Sequence, residues 1–352
     1  MPTTYAIPDG RTVMAATTYT GTGATQVISN AVNGVSMQPD FVWLKSRSSA
    51  RDHRLMDTVR GINNVLQSNL TSAEFAGSAL SSINSSGFTL NTTDNQNVAS
   101  ETYVGWQWKA GGTAVSNTAG SITSSVSPNT TAGFSVVTWT GTASGATVGH
   151  GLGVAPKMII IKNRSSVANW AVWHTSYGGS TNTDYQYLND TMAKGGGGAA
   201  NNWNGTAPTS SVFSVGDTAA SNGSSALMVA YVFCAVAGYS VFGSYTGNGS
   251  TDGPFVYTGF RPAFLIIKCS SSSGSGANQW MIVDNKRNTF NVENNTLKAD
   301  LTDAEGVASL DVCDFLSNGF KIRTSDSGQN LSADNFIYAA FAEAPFKFAN
   351  GR

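Results

Sequence analysis

Short apolar runs of strand length recur along the chain, divided by stretches of Gly, Asn, Ser and Thr. Phe41-Val-Trp-Leu-Lys45, Lys157-Met-Ile-Ile-Ile-Lys162 and Ala263-Phe-Leu-Ile-Ile-Lys268 are rich in aromatic and β-branched residues, and each ends in a lysine. The runs at 103–108, 228–233 and 336–341 are more continuously apolar, as central strands covered on both faces should be. Helical periodicity is nearly absent; the one weak candidate lies at 68–80. The pattern predicts an all-β chain of antiparallel strands joined by turns.

The pattern also repeats. Tyr19-Thr-Gly-Thr-Gly, Trp139-Thr-Gly-Thr and Tyr245-Thr-Gly-Asn-Gly each lead to a proline and then to a lysine six residues further on: Pro39 and Lys45, Pro156 and Lys162, Pro262 and Lys268. A later phenylalanine (Phe88, Phe213, Phe320) is followed after 20, 20 and 21 residues by Trp108, Phe233 and Phe341. Between these marks, His53-Arg-Leu-Met-Asp57, Trp170-Ala-Val-Trp-His174 and Trp280-Met-Ile-Val-Asp284 correspond. A period of about one hundred residues is the size of a small domain and too long for a solenoid unit. The expected fold is therefore three tandem antiparallel β-sandwich modules of jelly-roll or lectin-like type. The expected boundaries are an N-terminal arm at 1–18, module one at 19–112, a Ser/Thr/Gly-rich linker at 113–131, module two at 132–237 and module three at 238–352. The proline before each strand forfeits no ladder bond there, and the Thr-Gly pairs suit turns that need positive φ.

Composition narrows the class. Only 12% of the 352 residues are charged and the formal net charge is −1. That excludes nucleic acid as the main partner, since phosphate binding needs clustered Lys and Arg. At 41%, hydrophobic residues suffice to build cores. The first eleven residues show no basic region followed by an apolar stretch, and no apolar run is long enough to span a bilayer, so neither an export signal nor membrane insertion is expected. Three cysteines, Cys234, Cys269 and Cys313, read as buried free thiols.

Candidate chemistry is sparse. His53, His150 and His174 have no metal-ligand spacing, and the glycines at 195–198 are not followed by the Lys-Ser/Thr of a phosphate-binding loop. No catalytic residue, metal or cofactor is expected. Asp57 and Asp284 each precede an arginine by three residues, Arg60 and Arg287, where module two has His174 and Tyr177; a salt bridge holding a loop is the preferred reading over a glycosidase acid. Asp300, Asp303, Glu305, Asp311 and Asp314 read as a solvated acidic loop in preference to a calcium site. Aromatic residues set in polar loops are the better binding candidates. Trp203 follows Asn202 in Ala-Ala-Asn-Asn-Trp-Asn-Gly, and Tyr185 and Tyr187 follow Asp184. An aromatic plate beside amides and a carboxylate suits the C–H faces and hydroxyl edges of a sugar. The alternative is that Trp203 folds back as a plug over the sandwich end. Its exposure discriminates between the two.

Several strings carry a resemblance: Ala6-Ile-Pro-Asp-Gly-Arg11, the segments at 38–49 and 150–162, the segment at 249–261, and Ala342-Glu-Ala-Pro-Phe-Lys-Phe348. They resemble modules recurring in structural proteins of marine and aquatic bacteriophages, commonly described as tail-fibre-like or virion proteins. The resemblance implies a virion component, made in the host cytoplasm and released by lysis. The expected function is a non-catalytic tail-fibre or receptor-binding protein that attaches to host surface glycan. The alternative is a capsid fibre or decoration protein without a ligand. Expected partners are other phage virion proteins through the N-terminal arm, host glycan, and further copies of the chain, three being common in such fibres.

Overall fold

The computed structural model describes residues 5–92, 94–177, 183–195, 201–271, 278–307 and 312–343. The chain is nearly all β, and all the strand pairing within its sheets is antiparallel. In module one a main sheet runs in the order Met14–Thr20, Thr102–Trp108, Phe41–Ser46, Arg54–Asp57. Module two repeats this order as Phe134–Thr140, Leu227–Phe233, Met158–Asn163, Ala171–His174. Module three gives Ser240–Thr246, Asn335–Ala342, Pro262–Cys269, Met281–Asp284. Each main sheet is faced by a smaller one, built from Gln26–Ser29, Gly87–Leu90 and Leu80–Asn84 in module one. The counterparts are Ala146–Gly149 with Val212–Val215, and Phe255–Tyr257 with Gly319–Ile322 and Cys313–Leu316.

The main strands read as unbroken apolar runs because both their faces are buried. Val42 and Leu44, Ile159 and Ile161, and Leu265 and Ile267 point into their own sandwich. The alternate residues, Phe41 and Trp43, Met158 and Ile160, and Phe264 and Ile266, point the other way into one core shared by all three modules. At its centre the corresponding residues Trp108, Phe233 and Phe341 form a triangle with ring centroids 6.3, 5.8 and 5.9 Å apart. Phe41 of module one stacks on Tyr231 of module two at 4.1 Å. The void left among these rings is only ≈ 30 Å³. The modules are thus not beads on a string but three sectors around a pseudo-threefold axis.

Two expected boundaries change. Residues 5–18 are not a free arm: Ile7 is in the shared core, the turn at Gly10–Thr12 packs on the backbone of Ala342 and Glu343, and Met14–Thr20 is a full main-sheet strand. The stretch at 113–131 is not a loose linker, because Val115–Asn117 and Ser124–Asn129 extend the sheet of module two. Its small hydroxyl side chains serve a sheet edge, where few apolar contacts are needed.

The Thr-Gly signature has a steric cause. A Cβ on Gly21, Gly141 or Gly247 would stand about 2.1–2.2 Å from the carbonyl oxygen of Val98, Gly223 or Leu331. Positive φ belongs to the second glycine of the motif, Gly23 and Gly249. In each copy an asparagine side chain, Asn97, Asn222 or Asn330, accepts from the backbone N–H that follows the first glycine.

Candidate functional site

The polar residues that repeat with the modules converge at three junctions. Lys45, Lys162 and Lys268 are the next-to-last residues of their strands, on the shared-core side, and are fully buried. Each Nζ donates to a carbonyl of its own module and to one of a neighbour. Lys45 reaches Ser46 and, at 3.0 Å, Thr302 of module three. Lys162 reaches Ala168 and, at 2.7 Å, Thr71 of module one. Lys268 reaches Asn278 and, at 3.3 Å, Asp190 of module two. Burial lowers their pKa values to about 8, about 7 and about 8.

The same cyclic order recurs in the next strand. His53 Nε2 lies 2.9 Å from the Lys298 carbonyl, Trp170 Nε1 donates to the Gln67 carbonyl at 2.9 Å, and Trp280 Nε1 donates to the Tyr187 carbonyl at 2.9 Å. Module one holds module three, module two holds module one, and module three holds module two.

The carboxylate–arginine pairs complete the junctions. Arg60 Nε meets Asp57 at 2.5 Å and Arg287 Nε meets Asp284 at 2.6 Å, all four side chains being inaccessible to solvent. Asp57 also accepts from the Tyr231 hydroxyl at 3.0 Å, and Asp284 from the Trp106 indole at 2.9 Å. Burial opposes the charge on Arg60, but the attraction of Asp57, Tyr231 and Glu74 outweighs it and raises its pKa. Burial likewise opposes the Asp284 charge, yet Arg287 and the Trp106 hydrogen bond hold its pKa below the usual value. In module two His174 takes the aspartate position and bonds the Tyr338 carbonyl at 3.1 Å. Glu74 links Arg60 to Arg164 of module two, and Glu305 links Arg287 to Arg47 of module one. These groups hold the molecule together; Asp57 and Asp284 are sealed from solvent, and Glu74 and Glu305 are nearly so.

The residues expected to contact sugar fall elsewhere and do not form an exposed platform. Trp203 is 2% exposed and lies in the private core of module two, as does Tyr185 at 6%. Tyr187 packs at that core's margin, its ring 5.1 Å from that of Tyr185. Asp184 pairs with Lys194 at 2.9 Å. Asn202 is fully buried and accepts from the Thr218 hydroxyl at 2.5 Å. Asn204 and Gly205, both at positive φ, turn the chain sharply beside Trp203, and the indole, with its large apolar area, is turned inward. The plug reading is the one the structure shows. The indole N–H of Trp203 and the amide nitrogen of Asn202 are buried without a hydrogen-bond partner among the described residues.

The acids of module three serve separate ends. Asp300 accepts from the Trp280 backbone N–H, Glu305 bridges two arginines, and Asp314 faces Arg323 at 3.4 Å; Asp311 lies outside the described residues. Among the described residues no three His, Cys, Asp or Glu side chains are grouped to hold a metal ion. His53 and His174 are kept neutral by burial, with pKa values of about 3 and about 4. All three cysteines are buried. No helix among the described residues is long and apolar enough to cross a membrane.

The repeated asparagines and the acceptors on neighbouring modules escaped the sequence reading. The asparagines close each copy of the helical turn or bend before the closing strand, and aligning the three copies would have found them. The acceptors are backbone carbonyls, which carry no residue signature.

Fold and junctions together define a class: a single-chain ring of three β-sandwich modules closed around a common core. Residues 10–345 match the family described as a domain of unknown function, DUF7483, and the chain belongs to that family. The match spans all three modules as one unit. Neither a curated protein nor a solved structure matches the chain.

Proposed function

We propose that the chain is a non-catalytic structural component of a bacteriophage particle, a rigid head of fibre or decoration type. The observation that carries this reading is the use of the repeated polar residues. Lys45, Lys162 and Lys268, together with Asp57–Arg60 and Asp284–Arg287, are spent on holding modules to one another. The burial of Trp203 favours the structural role over a glycan site at that residue. The resemblance of the sequence to phage virion modules and its neutral, hydroxyl-rich composition support the same reading. Threefold geometry, which fibres commonly obtain from three copies, is supplied here by one chain.

The test is to purify particles of the virus that encodes the chain, identify their proteins by mass spectrometry and label them with antibody to the purified protein. Stoichiometric presence with labelling at a defined part of the particle is the expected result. Absence from washed particles would overturn the proposal.

A further inference from the structure

Module three contains a cleft of ≈ 300 Å³ at a place where an aromatic ring stands in the other two modules. Its position is fixed by three matching strand pairs: Val65 with Phe75, Tyr185 with Gly195, and Thr296 with Gly306. In module one Phe75 occupies the space, with the Arg54 guanidinium 5.4 Å above its ring and 3.8 Å from Asp94. In module two the Tyr185 ring occupies it, so close to Gly195 that a Cβ there would be 2.9 Å from the ring. Module three has Gly306 for Phe75, Met281 for Arg54 and Thr296 for Tyr185, and the space stays open.

The polar groups around the cleft differ in the same direction. In module one Gln96 donates to the Asp52 carbonyl, while its own carbonyl accepts from the Tyr19 hydroxyl. Gln329 is the counterpart, its carbonyl accepting from Tyr245. Among the described residues the side-chain amides of Gln329 and Gln279 hydrogen-bond to no protein group, although both residues are more than nine-tenths buried and line the cleft.

We infer that this cleft is a binding site for a neutral polyhydroxylated ring, a single sugar unit. Met281 and Val312 give apolar surface for C–H faces, and two free amides give donors and acceptors for hydroxyl edges. One lysine, Lys298, stands against two aspartates, Asp303 and Asp326, which disfavours anionic ligands. The volume is at the lower end of the roughly 300–1,000 Å³ range of small-molecule sites, which suits one ring and not an oligomer or a nucleotide. The inference goes beyond the structural role proposed above and does not depend on it.

The experiment titrates the full chain with glucose, galactose and N-acetylglucosamine, using saturation-transfer NMR and calorimetry. Two variants run beside it. M281R/G306F restores the filling of module one, and a Cβ at Gly306 meets only the Thr296 hydroxyl at 3.5 Å, an ordinary contact. Q279A/Q329A removes side-chain amides that hydrogen-bond to no described residue. Saturable binding of at least one sugar is expected, weakened about tenfold or more in both variants at unchanged melting temperature. No saturable binding of any of the three sugars up to tens of millimolar would overturn the inference. So would binding that Q279A/Q329A leaves unchanged.

Discussion

Tyr231 and Asp57 are 174 residues apart in the chain, yet the phenol of one donates to the carboxylate of the other at 3.0 Å inside the protein. The same carboxylate holds Arg60, whose Nη2 in turn donates to the Tyr231 oxygen at 3.1 Å. One phenolic oxygen therefore closes a three-membered buried network across a module boundary.

Tyr231→Phe deletes that oxygen and leaves both Asp57 and Arg60 short of a partner. A buried polar group left unsatisfied costs about 1–3 kcal/mol. The variant should unfold at lower denaturant concentration by a corresponding amount while keeping the native circular dichroism spectrum. Stability equal to wild type would show that the phenol contributes nothing to the junction.

Trp203→Ala removes the largest side chain of the module-two plug. Loss of a buried aromatic side chain costs about 3–5 kcal/mol, so a marked fall in melting temperature is expected. An exposed Trp203 would give a change within about 0.5 kcal/mol, and the difference in iodide quenching between wild type and variant would isolate its exposure among the eight tryptophans.

Alkaline pH should stabilise the protein. Lys45, Lys162 and Lys268 have native pKa values of about 8, 7 and 8, below the lysine value of 10.5. Between these limits the unfolded chain binds protons that the native chain has released, so stability rises with pH. Glu293, raised to about 8 by burial, acts oppositely, but only up to its own native pKa. Buried tyrosines raised well above 10.0, such as Tyr231 and Tyr245, lose stability once the pH passes 10.0. The melting temperature should therefore climb from about pH 8 to about pH 10 and then decline. Lys162→Met should climb less over that window, and a flat profile in the wild type would contradict the assignment of these lysines as desolvated junction groups.

Unfolding should be a single transition despite three modules. The face that carries Trp108, Phe233 and Phe341 is buried only when all three sectors are present. Melting one module would expose that face on the other two. Scanning calorimetry should give one peak whose calorimetric and van't Hoff enthalpies agree; three resolved peaks would mean that the private cores, and not the shared one, set cooperativity.

The sequence shows the fold more clearly than the site, and particular residues explain why. Phe41-Val-Trp-Leu and its two counterparts are legible because burial on both faces demands unbroken apolar runs. The Asp57–Arg60 and Asp284–Arg287 pairs are legible because both partners lie within one turn of chain. Lys45 and Thr302 are not, since 257 residues separate them and the acceptor is backbone. Trp203 misleads because small polar neighbours signal a chain reversal as readily as an exposed loop. The strands at 115–129 hide because a sheet edge tolerates serine and threonine. The cleft of module three is visible only by difference, through Gly306 standing where module one has Phe75.

The three junctions follow one plan, but their chemistry is no longer the same. Trp106 brings an indole and Tyr231 a phenol to a carboxylate held by arginine, whereas His174 meets a bare carbonyl beside Ala339. A module seated in the wrong sector would place an aspartate against Ala339, with no donor to answer it. Each sector therefore carries an address, and three look-alike folding units joined in one chain can close in a single order.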